Sequence, residues 1–361
     1  MGVKVAVVGA GSTYTPELVE GFVRRIERFP VDELALLDVD RDRLDVVGGL
    51  AGRMLDRAGY GGHLILTTDR DEALEGAGFV IVQLRVGGQA ARLSDETIPP
   101  RFGCVGQETT GPGGFAKALR TIPVVLELAE LTARRGAPGA WFVDFTNPTG
   151  MVTQALIDEG HRALGLCNVA INLQRRFATR FDVQPQRVQL EHVGLNHLSW
   201  VRAVMVDGVD RLPALLETDL PELSRETDMP SELIRALGAV PSYYLRYYYL
   251  TREIVEEQRR GRTRAEEVME IEARLLEMYR DPNLTEKPEL LERRGGAYYS
   301  EAAAELVASL AAGTGDTDNA SFTIVGNQLL ATRSLAADAG RTLSVRLRVT
   351  DFDGRTVREL F

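Results

Sequence analysis

Cysteine and long apolar runs are both scarce in this sequence. Its 361 residues include only two cysteines, Cys104 and Cys167, which is too few for a disulfide framework and typical of a reducing compartment. No run of about 18 uncharged apolar residues occurs, so no membrane-spanning helix is predicted. The first apolar run carries Lys4 and ends in glycines, unlike a signal peptide. We therefore expect a cytoplasmic protein.

Positive charge is also in deficit. The 42 lysines and arginines are outnumbered by 52 aspartates and glutamates, and the net charge is −10. This balance argues against nucleic acid or an anionic membrane as a partner. A site for a phosphate group must therefore be made locally, by clustered arginines or by the N-terminus of a helix.

The first third of the chain alternates between strand and helix patterns. Residues 3–8 are apolar without interruption, as in a buried parallel strand, and Thr15-Pro16 is typical of a helix start. Further strands are predicted over residues 33–38, 63–67, 79–83 and 140–145, and helices over residues 41–58 and 117–134. This alternation predicts an α/β fold with an N-terminal Rossmann-like, doubly wound parallel sheet.

The pattern changes after about residue 165. Residues 187–206 alternate in the manner of antiparallel strands, and residues 231–311 are rich in helix formers. An α+β domain is therefore expected to follow the parallel sheet.

A glycine-rich turn follows the first predicted strand. A backbone without side chains at Gly9 and Gly11 can approach a pyrophosphate closely, and the next helix offers its free N–H groups to it. Tyr14 stands where the usual dinucleotide fingerprint has its third glycine. Asp38 ends the second strand, where a carboxylate accepts hydrogen bonds from ribose hydroxyls and repels a 2′-phosphate. The predicted ligand is NAD rather than NADP, and a glycine-rich turn that binds nothing is the alternative. The predicted cofactor-binding residues are Gly9, Gly11, Ser12 and Asp38.

The stretch from residue 85 to residue 123 combines many glycines with arginine, lysine and carboxylate residues. Glycine-rich backbone is unfavourable for stability unless something must approach it closely, and arginine suits a carboxylate or a phosphate. We therefore expect this stretch to be largely a binding loop that leads into the helix at residue 117. A solvated surface loop is the alternative.

One cysteine and one histidine lie in polar surroundings thirty residues apart. Cys167 follows a short apolar run and should lie at the carboxyl end of a strand, where open α/β sheets bind ligands. His197 lies in the segment Asn196-His197-Leu198. Taken alone, each residue is more often structural than a ligand. Two ligands are also too few for a closed zinc site, so a metal here would need water or substrate oxygens as well.

Together, these motifs resemble glycoside hydrolase family 4, whose members depend on NAD and a divalent metal. The resemblance covers about residues 3–325. Asn168, directly after the cysteine, resembles the 6-phospho-β-glucosidase branch of the family. The matching segments are Gly9-Ala-Gly-Ser12, Arg85-Val-Gly-Gly88, Asp95-Glu96, residues 106–114, Asn147-Pro148, Cys167-Asn168-Val169, residues 194–200, residues 241–245 and Arg294-Gly-Gly296.

The resemblance implies a reaction and a set of site residues. In that reaction NAD⁺ oxidises the sugar at carbon 3, which acidifies the hydrogen on carbon 2; the aglycone is eliminated, water adds, and NADH returns the hydride. Cys167 and His197 would hold a divalent metal, with Mn²⁺ expected. Tyr244 would be the base, with Tyr243 as second choice, and Asn168 would line the catalytic site. The implied substrate contacts are Arg92, Asn147 and Arg294, the last of these to the 6-phosphate.

The resemblance also implies a division of the chain. Residues 1–168 would form the NAD-binding Rossmann-like domain, and residues 169–361 the catalytic, substrate- and metal-binding domain. The family's members usually have Asn where this chain has Asp144. From about residue 329 the sequence departs from the family's usual ending, whose last helices pack on the core and the subunit interface. A homodimer or homotetramer is expected if that ending permits it.

Two other functions are compatible with parts of the pattern. A 2-hydroxy-acid dehydrogenase on the related fold would use a His–Asp proton relay and no metal, and the segments around Cys167 and His197 argue against it. A non-catalytic NAD-binding relative that lacks the family's C-terminal helices is the third hypothesis.

Overall fold

The computed structural model describes residues 2–294, 299–311, 322–325, 328–331, 346–350 and 356–360. Within them, the first half of the chain forms one parallel sheet of six strands in the order β3-β2-β1-β4-β5-β6. The strands are β1 Lys4–Val8, β2 Glu33–Leu37, β3 His63–Thr67, β4 Phe79–Val82, β5 Trp141–Asp144 and β6 Ala163–Gly165. The connecting helices are α1 Thr15–Val23, α2 Arg41–Arg57, α3 Arg70–Leu74, α4 Gly88–Thr97, α5 Gly111–Arg135 and α6 Thr149–Asp158. The predicted doubly wound parallel sheet is confirmed.

The strands bury side chains on both faces of this sheet. Val5 and Val7 of β1 face α1 and α2, whereas Ala6 and Val8 face α3, α5 and α6. Burial on both faces explains why β1 has no polar residue between Val5 and Val8. Because the strand order reverses between β1 and β4, a crevice opens at the carboxyl ends of these two strands.

The prediction that residues 85–123 are largely loop is wrong. Most of this stretch is helical, because α4 occupies residues 88–97 and α5 begins at residue 111, six residues before the predicted start. The glycines serve the helix ends: Gly87 has a left-handed φ of 81° immediately before α4, and Pro112 lies in the first turn of α5. Between these ends, helix formers outweigh the loop-like composition.

The second half of the chain begins with an antiparallel sheet covered by helices. Strand β8 lies between β7 and β10, and β9 pairs with its far end. Leu223, Ile234 and Val240 belong to the apolar core of this region. Its elements are α7 Asn168–Arg180, β7 Val188–Leu195, β8 Leu198–Val206, β9 Val209–Asp210, α8 Leu212–Thr218, α9 Leu220–Thr227, α10 Ser231–Leu237, β10 Val240–Pro241, α11 Arg246–Tyr249 and α12 Thr251–Arg260. The predicted antiparallel strands and helices are confirmed.

Two later helices return to the first sheet. Ile271 and Leu275 of α13 (Arg264–Tyr279) and Val307 of α14 (Tyr299–Ala311) share one apolar core with β1 and α1. Packing therefore crosses the proposed boundary at residue 168, although the parallel sheet itself ends at Gly165. The boundary at residue 168 thus separates the two sheets, whereas the apolar core of the parallel sheet also includes residues of α13 and α14.

The C-terminal part is described only as short strands. β11 Phe322–Val325 pairs with β12 Gln328–Ala331, and β13 Arg346–Thr350 pairs with β14 Thr356–Leu360. From about residue 329 the sequence was predicted to depart from the family's usual ending, and most of that segment lies outside the described residues. Across the part of the chain that is described, no helix has both the length and the apolar composition needed to cross a membrane.

Candidate active site

The glycine-rich turn forms a cradle at the end of β1. Gly9 has a φ of 84°, and a Cβ added to it would meet the Leu84 backbone at 2.8 Å. A Cβ on Gly11 would meet the Asp38 carboxylate at 2.8 Å. Ser12 closes the turn, because its N–H donates to the Gly9 carbonyl at 3.1 Å. The turn can therefore pack against β4 and Asp38 in this way only while both positions are glycine.

Asp38 takes part in this cradle directly. Its Oδ2 accepts a hydrogen bond from the Gly11 N–H at 2.7 Å, and its Oδ1 accepts one from the Asp40 N–H at 3.0 Å. A carboxylate has about four acceptor positions, so two remain for other donors. Arg43 Nε donates to the Gly11 carbonyl at 3.1 Å. Three of the four predicted cofactor residues thus lie in the turn after β1, and Asp38, at the end of β2, is hydrogen-bonded to that turn.

Arg294 lies beside the same turn. Its guanidinium carbon is 4.0 Å from the centre of the Tyr14 ring, and its Nε donates to Glu272 Oε1 at 3.0 Å. Glu272 also accepts from Gln89 at 2.9 Å and lies 3.6 Å from an Arg43 nitrogen. Arg294 and Glu272 are each only 7% exposed. The structure therefore places Arg294 in a buried ion pair that supports the glycine-rich turn.

Cys167 and His197 are brought into contact. The Cys167 sulfur lies 3.3 Å from Nε2 of His197. Cys167 follows β6 and caps the N-terminus of α7, and His197 lies in the turn between β7 and β8 with a left-handed φ of 63°. A non-glycine residue in this conformation is strained, and such strain is frequent at functional sites.

This pair fits an open metal site. With bonds of about 2.3 Å to sulfur and about 2.1 Å to nitrogen, two ligands of one tetrahedral ion lie about 3.6 Å apart. Burial lowers the pKa of His197 to about 4, which keeps the imidazole neutral and able to bind a metal. Burial raises the pKa of the Cys167 thiol, against hydrogen bonds from Val169 and Asn196 that lower it. Among the residues that the structure describes, no three His, Cys, Asp or Glu residues group as a closed metal site.

The geometry distinguishes the two candidate tyrosines. The ring of Tyr244 stacks on that of His197, with centroids 3.7 Å apart and planes within 7°. The Tyr243 ring is 41% exposed, and its hydroxyl accepts a hydrogen bond from Arg246 at 2.6 Å. Burial raises the pKa of Tyr244, and the neighbouring Cys167 thiol and Glu108 carboxyl raise it further. Loss of the Tyr244 proton thus requires a compensating positive charge nearby.

A buried charge cluster lies behind this tyrosine. Glu108 accepts hydrogen bonds from Arg85 and from Lys117, the latter at 2.7 Å, and an Arg92 nitrogen lies 3.6 Å away. Burial alone would raise the pKa of Glu108, but the three cations hold it well below its usual range. Burial also lowers the pKa of Lys117 to about 8. Arg92 pairs in addition with Glu96 at 2.7 Å.

Asn147 lies in the loop that joins β5 to α6. The loop leaves the sheet at the end of β5, and Asn147 Oδ1 accepts a hydrogen bond from the Thr149 hydroxyl at 3.3 Å. A Cβ on Gly150 would meet Asn196, the neighbour of His197, at 3.1 Å. Asn168 begins α7 directly after Cys167. Asn168 is therefore adjacent to Cys167, and the loop that carries Asn147 leads to Gly150, which packs against Asn196.

Sequence reasoning did not assign roles to Glu108, Lys117 or Glu272. Glu108 and Lys117 lie within the stretch that was expected to be loop, and Glu272 lies on an ordinary charged helix. Carboxylates of this kind usually lie on a solvated face, so their burial follows only from the tertiary packing. The sequence does contain a local pattern for the ion pair of Arg92 with Glu96, because the two residues are four positions apart with helix formers between them.

Comparison with known proteins identifies the family. The model described as "Family 4 glycosyl hydrolase" matches residues 4–183, and the model of its C-terminal domain matches residues 192–330. The chain belongs to glycoside hydrolase family 4. It is therefore a glycosidase, as the family resemblance predicted.

The relatives on the β-glucosidase side are the more similar ones. A probable 6-phospho-beta-glucosidase of Bacillus subtilis strain 168 is 44% identical over 324 residues, which cover 86% of this chain and 73% of that protein. The 6-phospho-beta-glucosidase of Escherichia coli K12 is 40% identical over 84% of this chain and 71% of its own. A Bacillus subtilis maltose-6'-phosphate glucosidase is 30% identical. The predicted likeness to the 6-phospho-β-glucosidase branch is confirmed.

A solved structure from the same branch has the same fold. The 6-phospho-beta glucosidase from Thermotoga maritima superposes with a TM-score of 0.80 at 36% identity, covering 85% of this chain and 73% of that chain. That structure contains manganese, NAD⁺ and glucose-6-phosphate.

Proposed function

We propose that this protein hydrolyses 6-phospho-β-glucosides with NAD⁺ and a divalent metal, Mn²⁺ being the expected ion. The observation that carries the proposal is the contact of Cys167 Sγ with His197 Nε2 at 3.3 Å, with the Tyr244 ring stacked on the same imidazole. The Thermotoga maritima relative, with manganese, NAD⁺ and glucose-6-phosphate bound, supports it. A proton relay between histidine and aspartate plays no part in this arrangement.

The residues around the turn at Gly9 fit NAD. The partial positive charge at the N-terminus of α1 would favour a pyrophosphate there, although most N–H groups of residues 9–18 already bond within the turn and to Leu37 and Asp38. The remaining acceptor positions of Asp38 suit ribose hydroxyls. The crevice at the carboxyl ends of β1 and β4 is where open α/β sheets bind such ligands. Asp38 would repel the 2′-phosphate of NADP because both groups are anionic.

The bound groups would supply two kinds of chemistry, reversible oxidation of the sugar at carbon 3 and polarisation of the oxygen on that carbon. Cys167 and His197 would hold the metal, and a bound divalent ion would favour the thiolate form of Cys167 against the effect of burial. Tyr244 removes the proton from carbon 2, which is acidic once carbon 3 carries a ketone. The aglycone then leaves carbon 1 and takes up a proton, water adds at that carbon, and carbon 2 receives a proton back. Return of the hydride to carbon 3 from the reduced cofactor would then restore the sugar.

The remaining proposed roles concern the substrate. We assign Arg92, Asn147 and Arg294 to substrate contacts and Asn168 to the lining of the catalytic site. Arg294 is held in place by Glu272 and Tyr14, which supports a fixed guanidinium for the 6-phosphate. We also keep residues 1–168 and 169–361 as the proposed cofactor-binding and catalytic domains.

The direct test is hydrolysis of p-nitrophenyl 6-phospho-β-glucoside with NAD⁺ and Mn²⁺ each present or omitted. The proposal predicts release of p-nitrophenol only when both are present. Full activity in the presence of a chelator and without NAD⁺ would contradict the proposal. Binding of NAD without turnover would instead support the non-catalytic alternative.

A further inference from the structure

A buried carboxyl lies beneath the loop that carries Asn147. Asp144 is the last residue of β5 and is 0% exposed. Its backbone is fixed from both sides, with Val82 and Gly165 as its register partners, and its carbonyl accepts from the Leu166 N–H at 2.9 Å. The Asp144 side chain is therefore held at the carboxyl edge of the sheet, where the candidate active site lies.

One oxygen of this carboxyl orders the start of the loop. Asp144 Oδ1 accepts a hydrogen bond from the Thr146 N–H at 2.8 Å, and the Thr146 hydroxyl lies 3.4 Å from the Val82 carbonyl. This short ring of bonds fixes the turn between Asp144 and Thr146, and Asn147 is the next residue. The position of Asn147 thus depends on where the Asp144 carboxyl is held.

The other oxygen faces a second buried hydroxyl. Asp144 Oδ2 and Thr153 Oγ1 are both fully buried, and neither makes a regular hydrogen bond within the described part of the chain. The Thr153 hydroxyl nevertheless lies close enough to the carboxyl to lower its pKa. The absence of a Cβ at Gly165 leaves the space that Thr153 Oγ1 fills. Two acceptors without a hydrogen between them would repel each other, so one of the two must donate.

The surroundings favour the neutral acid. Burial raises the pKa of Asp144 to about 8, against the hydrogen bonds from Thr146 and Thr153 and the charge of Lys117, which all lower it. Lys117 on α5 is the charged group acting on this carboxyl, and it is itself paired with Glu108. The neighbouring strands and α6 present Val82, Gly165 and Thr153 to it, none of which titrates.

We propose that Asp144 is a positioning residue that works as a neutral carboxylic acid, its Oδ2–H donating to the Thr153 hydroxyl while Oδ1 accepts from Thr146. The two bonds tie the loop of Asn147 to α6. Ionisation reverses the bond, so that Thr153 must donate to Oδ2, and it places a charge in a fully buried site where no cation of the described residues is in contact with it. The cost of that buried charge favours opening of the loop. The consequence for substrate binding rests on the proposed function, whereas the protonation state and the order of the loop do not.

Asp144→Asn tests the protonation state, because the amide keeps one acceptor and one donor and cannot ionise. A carboxyl that stays neutral when folded but ionises near pH 4 when unfolded lowers stability as pH rises from 4 to 8, and not further above 8. The melting temperature of Asp144→Asn should therefore exceed that of the unmodified protein by a margin that grows by about 2 °C per pH unit up to pH 8. Asp158→Asn, at the exposed end of α6, is the control and should show no such trend. Parallel melting profiles for Asp144→Asn and the unmodified protein would overturn the neutral acid.

Hydrogen exchange across residues 145–149 tests the positioning role without relying on activity. After correction for intrinsic rates, exchange should accelerate above pH 8 in the unmodified protein and in Thr153→Ser, but not in Asp144→Asn; Thr153→Val should exchange fast at every pH. In the active enzyme, KM should rise about tenfold between pH 7 and pH 9, the ratio in which the neutral form declines, and stay level in Asp144→Asn. Exchange that is the same in all four proteins would overturn the positioning role even if the melting profiles diverge. Absence of turnover with the exchange pattern intact would contradict the proposed function alone.

Discussion

The two halves of the candidate site are built in different ways. The cofactor half uses Gly9, Gly11 and Asp38, which lie on two consecutive strands and interact mainly through backbone groups. The catalytic half unites Cys167 and Tyr244 with a histidine and a buried glutamate from separate elements. The first half is thus a local feature of the chain, whereas the second exists only when the antiparallel sheet packs against the parallel one.

The halves also differ in their electrostatics. In the catalytic half, burial raises the pKa of Cys167 and Tyr244 and lowers that of His197 to about 4. Shifts of this kind are typical of groups that take part in chemistry. Changes in the catalytic half should therefore abolish turnover, and changes in the cofactor half should weaken binding.

The largest effect is expected at the metal position. Cys167→Ser and His197→Ala should each lower kcat by about a thousandfold or more, since a Lewis acid contributes several kcal/mol and each 1.4 kcal/mol is about tenfold. The amount of bound manganese, measured by elemental analysis after dialysis, should also be lower in both variants. Cys104→Ser is the matched control and should keep both activity and metal. Loss of the circular dichroism spectrum along with activity would mean that the residues are structural.

The next largest effect separates the two tyrosines. Tyr244→Phe should lower kcat by about a hundredfold to ten-thousandfold, as expected for removal of a general base, while affinity for NAD is kept. Tyr243→Phe should remain within about threefold of the unmodified enzyme, because only an exposed bond to Arg246 is lost. A larger loss of kcat in Tyr243→Phe than in Tyr244→Phe would mean that Tyr243 is the base.

Arg294 lies beside the cofactor turn but is proposed to bind the 6-phosphate of the substrate, and its variant distinguishes these two roles. Arg294→Ala should reduce kcat/KM for the 6-phosphorylated glucoside by about tenfold to a hundredfold, as for a lost bond to a charged group. The unphosphorylated glucoside should be affected far less. An equal loss on both substrates, with weaker NAD binding, would assign Arg294 to support of the turn at Tyr14 through Glu272.

The smallest effect is expected at Asp38. Asp38→Ala should weaken NAD by about tenfold and narrow the preference over NADP, because the acceptor for ribose hydroxyls and the repulsion of a 2′-phosphate are both removed. Asp38→Asn is the control, because its amide oxygen can still accept the Gly11 N–H. Calorimetric titration measures both cofactors. Equal affinity of the unmodified protein for NAD and NADP would contradict the assignment.

Local patterns predicted the fold well. The bounds of β3 were predicted to the residue, because Thr67 and the turns around this strand give a clear limit. The contact between Cys167 and His197 followed from the family resemblance, since nothing in their spacing of thirty residues brings them together.

What the sequence did not predict depends on long-range packing. Helix α4 was missed because its residues look like those of a loop until Arg92 and Glu96 are buried against α13, where the Ala265 N–H donates to Glu96 at 2.7 Å. The buried state of Glu108 likewise requires three cations from separate positions. No local pattern contains that information.

Turnover in D₂O tests the central claim most directly, because it reports on the bond that Tyr244 is proposed to break. If the proton on carbon 2 is removed after oxidation at carbon 3, it exchanges with solvent before water adds at carbon 1. The glucose 6-phosphate formed in D₂O should then carry deuterium on carbon 2, as measured by NMR. Product with no deuterium on carbon 2, formed without any need for NAD⁺, would contradict the account.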